Sequence, residues 1–152
     1  MNKFHKPQYW YHLTEMNWGD EVSLYPRKHG LHRQDTEPGI KRICVAPSVP
    51  HCLVALGLCL LGNVNVYRTK YKVQARVVNK KEVSDVLDTQ EAWLLNKTEF
   101  VKVRTIRMSK VFEIWGLSNR KVPNCSQGWV LMKLVKEMYP NGRYKYLKKA
   151  EG

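Results

Sequence analysis

Residues 88–103 read Asp-Thr-Gln-Glu-Ala-Trp-Leu-Leu-Asn-Lys-Thr-Glu-Phe-Val-Lys-Val, and this stretch decides the expected architecture. A short acidic turn leads into Trp93-Leu94-Leu95, a polar corner follows, and an alternating strand runs from Phe100 to Ile106. We predict two strands joined by a polar loop of about four residues, which places Glu91 at the entry of the first strand. A carboxylate beside a buried Trp and Leu is either a reactive group or a surface residue, and the pattern leaves both open.

Similar patterns outside this stretch predict further strands at about 9–14, 21–25, 41–46 and 63–69. Residues 71–78 either continue the last of these strands or pair with it. An apolar run after Pro47 predicts a buried helix at about 48–61, with Ser48 as its N-cap. A second helix at about 129–139 is amphipathic, and it precedes a basic strand and tail at 143–152. The fold class is therefore α+β, with a curved, mainly antiparallel sheet.

Length and composition bound the kind of protein. The 152 residues predict a single domain over 1–152, with residues 26–39 as a mobile loop. A hydrophobic content of 43% argues against a disordered chain. The apolar run Cys52–Leu61 is about half as long as a bilayer requires, and no signal peptide is visible, so we expect no membrane partner. The four Cys form no C-x-x-C pair, and this favours buried thiols in a cytoplasmic protein (host cytoplasm if viral) with no metal.

The formal net charge is +13, and most of it lies in the C-terminal third. Residues 101–152 contain 12 Lys or Arg and 3 Asp or Glu. Such a field attracts an acidic macromolecule, either a nucleic acid or an acidic protein patch.

Four segments between residues 9 and 106 together resemble ADP-ribosyltransferase-like domains. One resembles the strand that opens the nicotinamide pocket, and another resembles the catalytic-acid strand with its hairpin partner. In one branch of the family the acid position falls on Ala92, and in the His-Tyr-Glu branch it falls on Glu91. The four segments are Tyr11-His12-Leu13-Thr14, Ala46-Pro47-Ser48, Val66-Tyr67-Arg68-Thr69, and Glu91-Ala92-Trp93-Leu94-Leu95 followed by Phe100-Val101-Lys102-Val103.

This resemblance implies binding of NAD and transfer of ADP-ribose. It implies that His12 anchors the ribose, that Tyr67 stacks on nicotinamide, and that Glu91 stabilises the positive charge of the transition state. Tyr71 is an equal candidate for the aromatic role. The residues expected to contact the dinucleotide are His12, Thr14, Ser48 and Tyr71.

The alternative is a non-catalytic binding protein that uses its basic C-terminal third. Cations neutralise phosphates, and interleaved tyrosines stack on bases. The same surface could dock on an acidic protein, as in a phage-encoded inhibitor of host defence or nucleic-acid machinery. The candidate contacts are Lys102, Arg104, Arg107, Lys110, Arg120, Lys121, Arg143, Lys145 and Lys148.

Overall fold

The computed structural model describes residues 3–28, 39–56, 63–84 and 86–107. This part of the chain is mostly antiparallel sheet, as the sequence predicts, and it contains little helix. The elements in chain order are β1 (Tyr11–Thr14), β2 (Glu21–Leu24), β3 (Ile43–Val45), α1 (Val49–Leu56), β4 (Asn63–Thr69), β5 (Arg76–Val77), α2 (Val86–Thr89), β6 (Ala92–Leu94) and β7 (Thr98–Arg107).

The described strands form two sheets, and neither sheet closes on itself. The larger has the order β1-β4-β7-β2 and the smaller the order β3-β6-β5, with every neighbouring pair antiparallel. One apolar cluster takes side chains from both sheets, so the core lies between them. Its buried members are Trp10, Ile43, Val45, Tyr67, Ala75, Ala92, Leu94 and Phe100.

A backbone bridge joins the two sheets beside β1 and β3. Tyr11 N–H donates to the Ala46 carbonyl at 2.9 Å, and Ala46 N–H donates back to the Tyr11 carbonyl at 3.0 Å. Tyr11 opens β1 in the larger sheet, and Ala46 directly follows β3 in the smaller one. The ends of β1 and β3 are therefore held side by side.

The predicted hairpin of two strands around residues 95–99 is wrong. Strand β6 pairs with β3, where Ile43 faces Leu94, while β7 pairs with β4 and β2 in the other sheet. All three residues of β6 are buried, so both of its faces are covered and it lies in the middle of its sheet. The segment after Leu94 consequently crosses from one sheet to the other.

The prediction for residues 71–78 also needs correction. Only Arg76–Val77 form a strand there, and this strand pairs with β6 rather than with β4. Both outer positions beside β4 are already taken, by β1 and β7. Residues 70–77 run instead beside the N-terminal segment, where His5 N–H donates to the Ala75 carbonyl at 2.8 Å.

Helix α1 begins at the predicted cap. The Ser48 hydroxyl accepts a hydrogen bond from His51 N–H at 3.3 Å, which satisfies one of the free donors of the first turn. Leu53 and Cys52 are buried, as predicted, whereas Ala55 is exposed, so one side of the helix is open. Residues 57–61 of the predicted helix, most of the predicted loop 26–39, and the predicted elements 129–139 and 143–152 lie outside the described residues.

We expect Thr69→Val to destabilise the protein by about 1–3 kcal/mol, although the two side chains have nearly the same shape. Thr69 is fully buried, and its Oγ1 accepts a hydrogen bond from Trp10 N–H at 3.1 Å, so the substitution leaves that donor without a partner. The measurement is the urea midpoint at constant m-value.

Thr98→Val is the matched control, because the Thr98 hydroxyl donates to the Asn96 carbonyl in an exposed turn. Its effect should stay within about 0.5 kcal/mol. If the two variants have equal urea midpoints, the buried hydrogen bond from Trp10 to Thr69 contributes no more to stability than the exposed one.

Candidate functional site

A cavity of about 500 Å³ opens where β1 and β3 are bridged. Its walls come from β1, from the end of β3, from the open side of α1 and from the residue that precedes β6. Three of the predicted site residues, His12, Thr14 and Glu91, lie on this cavity. This volume falls within the range of small-molecule sites.

The strand pairing brings His12 and Glu91 to the same place. Tyr11 is bridged to Ala46, and the preceding Val45 faces Ala92 across the β3–β6 ladder. The residues after Tyr11 and before Ala92 therefore flank the same bridge. Two side chains that are distant in sequence border one cavity because two antiparallel pairings share one strand end.

His12 is held in one orientation and one tautomer. Its Nδ1 lies 2.8 Å from the carbonyl oxygen of Cys44, and since a carbonyl only accepts, Nδ1 carries the proton. Burial lowers the pKa of His12 below its usual value; the bond to Cys44 opposes this shift, and the nearby charge of Arg27 adds to it. The neutral imidazole therefore keeps Nε2 as a hydrogen-bond acceptor.

Glu91 is a buried carboxylate that is fixed by an indole. Its side chain is 7% exposed, and its Oε2 accepts a hydrogen bond from Trp93 Nε1 at 2.7 Å. The Trp93 ring is fully buried, and the guanidinium carbons of Arg42 and Arg76 lie 4.3 Å and 5.0 Å from its centroid. The sequence predicted a carboxylate beside a buried Trp, and here the Trp is its hydrogen-bond donor.

The turn before Glu91 also helps to direct this residue. Gln90 has a φ of 55°, in the left-handed region that non-glycine residues seldom adopt. Thr89 Oγ1 accepts a hydrogen bond from Glu91 N–H at 3.2 Å. The chain therefore ends α2 with a sharp turn and presents Glu91 to the cavity before β6 begins.

Trp18 is an aromatic wall of the cavity that the sequence analysis did not identify. Its ring stacks on His12, with centroids 5.9 Å apart and an interplanar angle of 21°. Its backbone N–H donates to the Tyr67 hydroxyl at 2.9 Å, and this hydroxyl donates to the Gly19 carbonyl at 2.8 Å. The Tyr67 hydroxyl thus fixes the turn at Trp18 and Gly19, although Tyr67 itself does not line the cavity.

The remaining predicted contacts lie away from the cavity. Tyr67 is fully buried and does not line it, Tyr71 is 62% exposed elsewhere, and Ser48 is engaged in capping α1, where its hydroxyl also bonds His51 Nδ1. Thr14 does line the cavity, and its Oγ1 accepts a hydrogen bond from Met16 N–H at 3.0 Å. The structure thus brings together part of the predicted set and adds Trp18 to it.

A second cavity, of about 220 Å³, adjoins the first. Four residues border both cavities: His12, Trp18, Arg27 and Cys44. Arg27 is exposed, and its backbone is fixed by reciprocal hydrogen bonds with Arg42 at 3.1 Å and 3.0 Å. We call the two adjacent cavities together the two-lobed cavity, and Arg27 borders both of its lobes.

The predicted basic surface is described only at β7. Lys102 Nζ lies 3.3 Å from Asn17 Oδ1, and Arg104 and Arg107 follow further along the strand. The pairing with β4 skips Val103, so a bulge interrupts the even spacing of these cations. Lys110, Arg120, Lys121, Arg143, Lys145 and Lys148 lie outside the described residues.

Two cysteines, Cys44 and Cys52, border the larger cavity. Cys44 and Cys52 are free thiols, and burial raises the pKa of Cys52 well above its usual value. Within the described ranges, no group of three or more His, Cys, Asp or Glu residues could hold a metal ion.

In the same ranges, no helix is both long and apolar enough to span a bilayer.

We expect acid to destabilise the protein through His12. An unfolded His binds a proton below about pH 6.5, whereas the folded His12 does so only at a lower pH. Its contribution to stability is therefore complete above pH 6.5 and is lost as the pH falls from 6.5 through the folded pKa. Urea midpoints at pH 5, 6, 7 and 8 measure this loss.

His12→Asn should flatten that profile, because the Asn amide can donate to the Cys44 carbonyl and does not titrate. If both proteins lose stability in parallel between pH 7 and 5, the acid sensitivity arises at another group.

Comparison of the chain with protein-family models, with curated proteins and with solved structures found no match. A function for the two-lobed cavity has to follow from its own residues.

Proposed function

We propose that the protein binds NAD, or a related dinucleotide, in the two-lobed cavity and transfers its ADP-ribose group. The observation that carries the proposal is the meeting of His12 and Glu91 on one cavity, with Arg27 at the junction of its two lobes. The resemblance to ADP-ribosyltransferase-like domains belongs to the same proposal. The two sheets bridged beside the cavity support it.

The shape of the cavity favours a dinucleotide over a mononucleotide. A dinucleotide has two nucleosides joined by a pyrophosphate, and the cavity has two lobes joined beside Arg27. A guanidinium binds phosphate oxygens through paired N–H donors that match their geometry. We assign the pyrophosphate to Arg27 and the nicotinamide riboside to the larger lobe, where Glu91 lies.

The neutral His12 suits a ribose. With Nδ1 bound to Cys44, Nε2 accepts a hydrogen bond from a ribose hydroxyl. Trp18 stacks on this imidazole and borders both lobes, so we assign it the contact with nicotinamide that the resemblance gave to Tyr67. Tyr67 then acts through the Trp18 turn as a positioning residue.

Glu91 provides the electrostatic part of catalysis. The bond between the nicotinamide nitrogen and the ribose carbon breaks, nicotinamide leaves with the electron pair, and positive charge develops on the ribose. A carboxylate that is already oriented by Trp93 stabilises this charge without reorganisation. The acceptor then attacks the same carbon and releases a proton, which Glu91 can accept.

The cavity supports the His-Tyr-Glu branch over the alternative that places the acid position at Ala92. Ala92 is fully buried and faces Val45 and Val77 in the sheet, whereas Glu91 borders the cavity.

We expect Glu91→Gln to lower kcat for NAD consumption by about 100-fold or more and to leave NAD binding within about threefold. The amide oxygen of Gln can still accept the hydrogen bond from Trp93, so orientation is kept while the charge is removed. Nicotinamide release and calorimetric titration with NAD measure the two quantities.

Glu99→Gln is the matched control, because this carboxylate is exposed on β7. If wild type binds NAD but releases no nicotinamide, the transfer step is wrong and the binding site stands. If NAD and ADP-ribose both fail to bind, the whole proposal fails.

We also expect Arg27→Ala to weaken ADP-ribose binding by about tenfold or more and to leave nicotinamide binding unchanged, because only ADP-ribose carries the pyrophosphate. Lys28→Ala removes an exposed charge from the next position and serves as the control. Equal losses for both variants would mean that overall charge, not Arg27, holds the ligand.

Partnership with an acidic macromolecule through the C-terminal third stays a prediction. So do the cytoplasmic location and the role as a phage-encoded inhibitor.

A further inference from the structure

The N-terminal segment of the protein forms an ordered ribbon with the segment after β4. Val77 N–H donates to the Lys3 carbonyl at 2.8 Å, and Gln8 and Val73 exchange hydrogen bonds at 3.2 Å and 3.0 Å. The Trp10 indole anchors the ribbon in the core and donates to the Val73 carbonyl at 2.8 Å. We call residues 3–9 and 70–77 the N-terminal ribbon.

The ribbon and the adjoining end of β4 are basic. Residues 3–9 and 68–77 contain six Lys or Arg and no Asp or Glu. Arg76 is paired with Glu82 at 2.8 Å, and Lys70 with Glu21 at 3.4 Å. Within the described residues, no carboxylate forms an ion pair with the other four, which are Lys3, Lys6, Arg68 and Lys72.

Large aromatic side chains are exposed on the same ribbon. Tyr9 is 36% exposed, Phe4 50% and Tyr71 62%. The guanidinium carbon of Arg68 lies 4.1 Å from the centroid of the Tyr9 ring, and Lys72 Nζ lies 5.7 Å from it. Tyr9 therefore contacts two cations while the residue stays partly exposed.

We propose that the N-terminal ribbon binds single-stranded nucleic acid. Aromatic rings that stack on bases, placed next to cations that contact phosphates, are the two components of sequence-tolerant single-strand binding. A duplex would offer the phosphates but hide its bases from Tyr9 and Tyr71. An acidic peptide would satisfy the cations but leave the rings uncovered.

The ribbon is separate from the proposed dinucleotide site. None of the residues that border either lobe of the cavity belongs to 3–9 or 68–77. Single-strand binding therefore stands or falls independently of NAD chemistry.

The test is fluorescence anisotropy of the full chain with labelled U12, dT12 and a 12-base-pair duplex at 50, 100 and 200 mM salt. We expect both single strands to bind more tightly than the duplex. Four phosphate contacts would give a slope of log K against log salt of about −3.

Tyr9→Ala changes no charge and should weaken single-strand binding at least about fivefold. Tyr9→Phe should retain binding, since stacking needs the ring alone.

A pair of charge-matched double variants separates the ribbon from the total charge. Lys6→Glu with Lys72→Glu should abolish most of the binding, whereas Lys80→Glu with Lys81→Glu, at exposed lysines in the turn before Glu82, should not. Both doubles change the net charge by the same amount. Melting curves establish that each variant is folded.

Several results would overturn the proposal. They are an absence of binding at 50 mM salt, a duplex bound as tightly as U12, equal losses in the two doubles, and an affinity indifferent to Tyr9→Ala. Competition by polyglutamate that is equal to competition by U12, in both wild type and Tyr9→Ala, would assign the ribbon to an acidic protein instead.

Discussion

The reciprocal hydrogen bonds between Tyr11 and Ala46 are the constraint on which the rest of the site depends. They form a bridge between the two sheets, and a second bridge joins Arg27, which follows β2, to Arg42, which precedes β3. The bridge does not extend into a ladder, and the residues on both sides of it line the cavity. His12 follows one side of the bridge, and Glu91 lies beside the other through the β3–β6 register. The Tyr11–Ala46 bridge thus accounts for the presence of both His12 and Glu91 on the cavity.

The sequence predicts where strands lie better than it predicts which strands pair. The long alternating run after residue 98 is recognisable by itself, because a half-buried strand imposes a period of two on its residues. Pairing depends on distant segments, and local sequence carries little information about them. The three apolar residues of β6 show no alternation, and a polar corner suits either a hairpin or a crossing between sheets. The absence of alternation in β6 was the available sign of a strand covered on both faces.

The residues of the candidate site were likewise predictable only in part. His12 and Glu91 were identified because each stands in a short motif that resembles a known arrangement. Trp18 lies in a turn with no period, and its position is set by the hydroxyl of Tyr67 on another strand. Tyr67 itself ends a run of four buried residues, Val64–Tyr67, so alternation could not show which way its ring points. The only local sign of a fixed turn there was the Asn-Trp-Gly sequence at 17–19. In the structure Gly19 has a φ of 85°.

The positive charge of the chain has two different uses, and the net value of +13 hides the difference. Arg42 and Arg76 are buried against Trp93, the residue that donates a hydrogen bond to Glu91, and cannot reach a macromolecular partner. Burying a guanidinium is costly, and Arg76 recovers part of that cost through Glu82 and the indole ring. The cations around Tyr9, by contrast, have no carboxylate partner in the described part of the chain and lie at the surface. The charge that can recruit a partner is therefore the part that is accessible and not neutralised by a carboxylate, and in the described residues this part includes Lys3, Lys6, Arg68 and Lys72.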